Sequence, residues 1–331
     1  MLLNPALVAL LFVSLTGSGM VLLAAGFALQ VLRCWDIASG HERQLRLERR
    51  TYLISTLLVF CFAAEVVALL LFIMTAESMS GQFVGAMCAT GVLNVNGFGW
   101  PELFARILIF FAGTTWLVIN HLDNQAPDYP LIRVKYLLLL ALVPLFLTET
   151  FLLFLYFLGL DPDIITSCCG SLFTAAAQGV AAEVSAFDPR LALQLFALSG
   201  VLVVTAGIIQ QFRGRGGVFF AFLATGAFAM ALVAIISVVS LYIYEMPHHH
   251  CPFCILKAGY SYIGYFLYIP LFIATAAALG AGAVSLCSRF DTLRPGAPRR
   301  VKGLVRLSLA MFLLFYGLVG MVIFRSHLVL P

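Results

Sequence analysis

Along the chain, long unbroken apolar runs alternate with short stretches rich in Arg, Gly, Pro and Asp. Eight runs reach about 20 residues, enough for a helix to cross a hydrocarbon core of about 30 Å. They lie near 3–32, 52–75, 103–120, 136–160, 191–210, 218–243, 260–286 and 306–324. None shows the strict apolar–polar alternation of a barrel strand. In hydrocarbon each backbone amide must be satisfied within its own segment, so the runs are expected to be helices. The expected fold class is all-α: a polytopic integral membrane protein of about eight transmembrane helices, with 1–331 as a single membrane domain.

Composition agrees. Hydrophobic residues make up 62% of the chain and charged residues 10%, too little charge to cover a soluble surface. The first run has no Lys or Arg before it and exceeds the core of a signal peptide, so it reads as a retained helix.

Basic residues set the expected orientation. Five lie between runs 1 and 2, two between runs 3 and 4 (Arg133 and Lys135), two between runs 5 and 6, and six between runs 7 and 8. These are fifteen of the nineteen Lys and Arg residues, all on one face. The positive-inside rule makes that face cytoplasmic and puts both termini outside. The net charge of +4 then follows from topology and gives no argument for nucleic acid. The expected location is a bacterial inner membrane, with the lipid bilayer as the first partner.

With that topology the chemistry gathers on the outward loops. Loop 76–102 carries Cys88, loop 161–190 carries Cys168 and Cys169, and loop 244–259 carries Cys251 and Cys254 after His248, His249 and His250. The stretch "TGVLNVNGFGWPE" in the first of these reads as irregular turns. Cys34, Cys61 and Cys287 stand alone and read as apolar packing residues. Pairs on one face only are unsuited to dithiol relay across the bilayer.

The densest segment is "EMPHHHCPFCILKAGY", residues 245–260. Pro252 after Cys251, followed by apolar sequence, predicts that Cys251 caps the seventh helix and Cys254 lies in its first turn. There the helix dipole would stabilise thiolate, making Cys251 an exposed nucleophile and Cys254 the thiol that resolves a mixed disulfide. His and thiolate groups together also suit zinc or Cu(I), with His248, His249, His250, Cys251 and Cys254 as the candidate ligands.

Glu65 and Glu149 each lie 14 residues from the inner edge of their run, about 21 Å deep. Ionisable groups at that depth are functional candidates, here for a proton relay or a quinone-binding anchor. Arg106, near the outer end of its run, reads as a snorkelling anchor.

The core Cys-Pro-Phe-Cys resembles the Cys-Pro-Tyr-Cys redox motif of glutaredoxins over four residues. A Cys-x-x-Cys at the outer end of a transmembrane helix, with further cysteines in an outward loop, resembles the DsbB and vitamin K epoxide reductase class of membrane thiol oxidoreductases. That resemblance implies a membrane pair, Cys251 and Cys254, exchanging with a quinone. It also implies a loop pair, Cys88 with Cys168 or Cys169, exchanging with a soluble partner. Eight runs instead of four or five, and the three histidines, depart from the class. The expected activity is outward-facing thiol–disulfide exchange, with a periplasmic thiol protein as partner. Two other readings stay open: Cu(I) or zinc binding and delivery with a metallochaperone as partner, and a membrane scaffold with structural cysteines.

Overall fold

The computed structural model describes residues 4–37, 39, 41–161, 163–164, 166, 188–246 and 249–328. Among them, eight helices are long and apolar enough to cross a membrane, and no strand occurs. The all-α polytopic expectation holds. Large side chains such as Phe12, Phe60, Phe212 and Phe324 stand exposed along these helices, as a lipid-facing surface requires. Cys168, Cys169 and His248 lie outside the described residues.

The chain divides into two compact units. The first contains α1 (Pro5–Cys34), nearly all of α2 (Glu42–Met79), α4 (Gly99–Asp123) and α5 (Ile132–Leu158). Local signals start α1: the Asn4 side chain accepts from the Ala6 N–H at 3.0 Å, and Pro5 occupies the first turn, where its missing donor costs nothing. Helix α2 begins about ten residues before the expected run, because Glu42, Gln44 and Glu48 alternate with Arg along a polar first turn that the apolar criterion skipped. The core of this unit stacks Phe62 on Trp116 and Phe146, with Phe27 against Tyr136. Ser18 donates to the Phe146 carbonyl at 3.1 Å and Thr150 to the Ser14 carbonyl at 3.2 Å, tying α1 to α5. Such hydroxyl bonds replace the hydrophobic drive that helices lack inside lipid.

A buried ion pair closes the α4–α5 hairpin. Lys135 Nζ lies 2.8 Å from Asp123 Oδ2 and donates to Asn120 Oδ1 at 3.2 Å. Asp123 Oδ1 accepts from the Leu131 N–H at 2.8 Å, and the Lys135 carbonyl accepts from the Trp116 indole at 3.1 Å. Lys135, expected in a basic loop, is fully buried.

The second unit contains α3 (Ala89–Leu93), α6 (Pro189–Arg213), the continuous segment Gly217–Tyr244, α9 (Ile263–Cys287) up to Leu286, and α10 (Ala297–Arg325). Within the segment, α7 (Gly217–Ala234) passes through a π turn, Ile235–Val239, into α8 (Ser240–Tyr244). Asp188 caps α6 by accepting from the Arg190 N–H, and Gly214 ends it at φ 65°. Phe196 packs against Phe315 and Tyr316, and Ser308 donates to the Ala274 carbonyl at 2.7 Å. Where irregular turns were expected in loop 76–102, Ala89–Leu93 forms a short, fully buried helix.

Removing one partner of the Lys135–Asp123 pair strands a buried charge, at a cost of about 3–5 kcal/mol. Asp123→Ala should therefore lower the thermal unfolding midpoint in detergent sharply. Asp123→Asn combined with Lys135→Met keeps the bond to Leu131 and should recover most of the loss.

Candidate functional site: a buried three-cysteine cluster

In the second unit, the loop that carries Cys88 is held on both sides. Gly85 has φ 82°, and a Cβ built on it would stand 2.1 Å from the Thr166 carbonyl oxygen. Only glycine tolerates both the conformation and the approach. The Thr166 N–H donates to the Val84 carbonyl at 2.9 Å, and Lys257 Nζ donates to the Met87 carbonyl. Cys88 then precedes α3 in an extended conformation and faces inward.

The segment bearing Cys251 and Cys254 departs from the expected geometry. Cys254–Leu256 and Ala258–Tyr260 are single 3₁₀ turns, and α9 starts only at Ile263. Neither cysteine lies in the first turn of a transmembrane helix, so the helix dipole does not stabilise a thiolate here. Pro252 falls in a turn instead. Three non-glycine residues, Glu245, Ser261 and Tyr262, take left-handed φ values of 53–54° around this segment. Strained backbone of this kind, about 1–3 kcal/mol per residue, persists where surrounding contacts over-determine it.

Those contacts are identifiable. The Tyr244 hydroxyl donates to the Cys251 carbonyl at 2.6 Å and the Tyr268 hydroxyl to the Pro252 carbonyl at 2.9 Å. The Tyr244 ring packs on His249 and on Tyr260, with centroids 4.1 and 4.6 Å apart. His250 Nδ1 lies 3.0 Å from the Ile236 carbonyl, inside the π turn. That carbonyl also accepts from the Ser240 hydroxyl. A π turn shifts the backbone ladder by one residue, which is how α7–α8 meets the histidine segment.

The result is a sulfur cluster. Cys88 Sγ lies 3.2 Å from Cys251 Sγ, and the sulfurs of Cys88, Cys251 and Cys254 all lie within 4.8 Å of one another. All three are buried, and no disulfide joins them. Thr90 Oγ1 lies 3.1 Å from Cys251 Sγ. The expectation of an exposed Cys251 is corrected: its side chain is 1% exposed, because the Cys88 loop and Tyr244 close over it. Hydrogen bonds from the Cys254 and Cys88 thiols hold Cys251 well below the ordinary thiol range, with Thr90 and the Phe253 N–H adding to them against the opposing effect of burial. Cys254 is pushed up because its proton is committed to Cys251. Of the pair, Cys251 is therefore the sulfur whose ionised form its neighbours favour.

Among the described residues, the cluster of potential metal ligands within 4.8 Å consists of these three cysteines and contains no imidazole. His249 and His250 pack beside the cluster's backbone. Two contributors were missed at the sequence level, Thr90 and Tyr244. Thr90 could have been suspected from its place two residues after Cys88 in "MCAT". Tyr244 carried no local signal.

A second polar centre lies in the first unit. Arg106, fully enclosed instead of snorkelling, reaches Glu149 Oε1 at 2.6 Å, Glu102 Oε1 at 2.7 Å and Glu65 Oε2 at 3.7 Å. Its Nη2 also donates to Ser14 Oγ at 3.0 Å, and Ser14 donates to Glu149 Oε1 at 2.8 Å. Glu65 and Glu149 therefore share one guanidinium. Glu102, four residues before Arg106 on α4, was not anticipated, although that spacing places both on one helix face.

No family model, curated protein or solved structure matches the chain.

Because folding lowers the Cys251 value, its linked stabilisation is present above the unfolded thiol's pKa of about 8.5 and is lost as pH falls through the lower folded value. Titration of ultraviolet thiolate absorbance should show a thiolate at neutral pH that Cys251→Ser abolishes. Thr90→Val removes one hydrogen bond to a charged acceptor, about 1.5–3 kcal/mol. It should raise the midpoint of that titration by about 1–2 pH units.

Proposed function

We propose that the protein is a membrane thiol–disulfide oxidoreductase whose redox centre is Cys88, Cys251 and Cys254. The observation that carries this reading is the position of Cys251: it is paired by sequence with Cys254 and lies 3.2 Å from Cys88. A sulfur with two neighbouring thiols can exchange one disulfide for another, and closing the Cys88–Cys251 bond from 3.2 Å to an S–S length of about 2.05 Å needs a movement of only about 1 Å. Its thiolate character supplies the nucleophile.

In the proposed reaction the Cys251 thiolate and the Cys254 thiol form a disulfide, losing two electrons and one proton. A membrane quinone takes the two electrons, that proton and one more from solvent to become quinol. Enclosure of all three sulfurs favours a lipid-borne oxidant over a bulky soluble one. Reduction by an extracytoplasmic dithiol protein would then pass through a mixed disulfide, and that partner needs the Cys88 loop to open. The outward orientation rests on the distribution of Lys and Arg.

The same trio supports one rival, binding of Cu(I) or zinc. Three sulfurs about 2.3 Å from a central ion stand about 4 Å apart, inside the 4.8 Å that bounds the three sulfurs here. Cys88, Cys251 and Cys254 would hold the ion.

Two measurements separate the readings. Acid quenching and thiol mapping of membranes exposed to a soluble quinone should find a disulfide that includes Cys251, and Cys254→Ser should accumulate a mixed disulfide. Protein purified anaerobically under reductant should contain no stoichiometric metal. About one equivalent of copper or zinc, lost in the Cys251→Ser, Cys254→Ser double variant, with no disulfide at Cys251, would replace this function with metal delivery.

A further inference from the structure

The Arg106 centre plays no part in the proposed thiol chemistry, and its charges do not balance. Glu65, Glu102 and Glu149 surround one guanidinium, and each of the four side chains is at most 4% exposed. Arginine stays protonated in proteins. With every carboxylate ionised the centre would carry a net charge of about −2, which an apolar interior does not tolerate. The other buried cation in this unit, Lys135, is already paired with Asp123.

Two local features show how the balance is met. Glu102 and Glu149 both reach the same guanidinium, at 2.7 and 2.6 Å, and one positive charge balances only one of two carboxylates held against it. Glu65 is held differently. Its Oε2 stands 3.7 Å from Arg106, the loosest of the three ion pairs, and its Oε1, like both oxygens of Glu102, is buried with no hydrogen-bond partner. That oxygen faces α1 at Gly17, where even a Cβ would come within 2.8 Å of it. An unpartnered oxygen on a neutral carboxyl is far less costly than one on a carboxylate.

We infer that the Arg106 centre is an intramembrane proton-binding site: one proton is shared between Glu102 and Glu149, and a second sits on Glu65 and is the exchangeable one. Two protons and the guanidinium neutralise the three carboxylates. Arg106, Glu149 and Ser14 form the fixed framework, being joined by bonds of 2.6–3.0 Å. The other titratable side chains that face these carboxyls are Cys61 on α2 and Tyr156 on α5, while α1 contributes Ser14 and Gly17. Glu65 is held by one loose contact, so its proton can leave without dismantling that framework.

Infrared difference spectroscopy on the full chain in lipid vesicles tests this. At about pH 7, where exposed carboxyls are ionised, the wild type should show protonated-carboxyl C=O bands that shift in D₂O. Glu65→Gln, which mimics the neutral acid, should remove one band and keep the wild-type unfolding midpoint. Glu149→Gln should lower that midpoint. The Cys251→Ser, Cys254→Ser variant should keep every band, so failure of the thiol proposal leaves this result intact. Absence of protonated-carboxyl bands, or a set of bands unchanged in Glu65→Gln, would overturn the assignment. So would a fall in unfolding midpoint for Glu65→Gln as large as that for Glu149→Gln, because Glu65 would then be a charged partner of Arg106.

Discussion

A polar group placed in an apolar medium costs free energy unless a partner there replaces water, and that constraint organises both units. In the first, Arg106 gathers carboxylates from α2, α4 and α5 while Ser14 on α1 bridges to Glu149. Helices in lipid gain little from burying apolar surface against one another, so contacts of this kind and close packing at small residues decide which helices meet. Gly17 against Glu65 and Gly113 against Phe62 are such approaches. The Lys135–Asp123 pair applies the same rule at one end of the α4–α5 hairpin.

In the second unit the constraint works on sulfur and backbone. Cys251 and Pro252 precede any helical turn, so their carbonyls need outside donors, and Tyr244 and Tyr268 supply them. The π turn in α7–α8 presents the Ile236 carbonyl to His250. With the backbone so held, the Cys88 loop closes over Cys251, and burial raises the importance of each remaining hydrogen bond to its sulfur. The sulfur chemistry thus rests on thiol and hydroxyl donors instead of a helix end. Cys251 is enclosed, and that enclosure is what gives a lipid-soluble oxidant its place in the proposed reaction.

The fold class was legible from the chain because transmembrane helices carry their signal locally. Length, apolarity and the flanking Arg residues placed all eight spans, with errors only at polar ends such as Glu42–Thr51 of α2. Among the chemistry, Cys88, Cys251 and Cys254 were singled out by residue type, and Glu65 and Glu149 by depth. Thr90, Tyr244, Glu102 and the central role of Arg106 were not. Thr90 and Arg106 depend on partners 161 and 43 positions away, and Tyr244 and Glu102, whose partners lie 7 and 4 positions away, matter only once distant segments enclose them; periodicity within one element says nothing about such closure.

The sequence by itself determined an all-helical membrane chain, the grouping of its cysteines on loops and the presence of ionisable groups within spans, because hydropathy and residue type act position by position. Only the tertiary structure decided that Cys88 joins Cys251 and Cys254, that the pair precedes its helix instead of starting it, and that three carboxylates share one guanidinium. Those outcomes follow from how buried polar groups from distant segments satisfy one another, a condition met only when the segments come together.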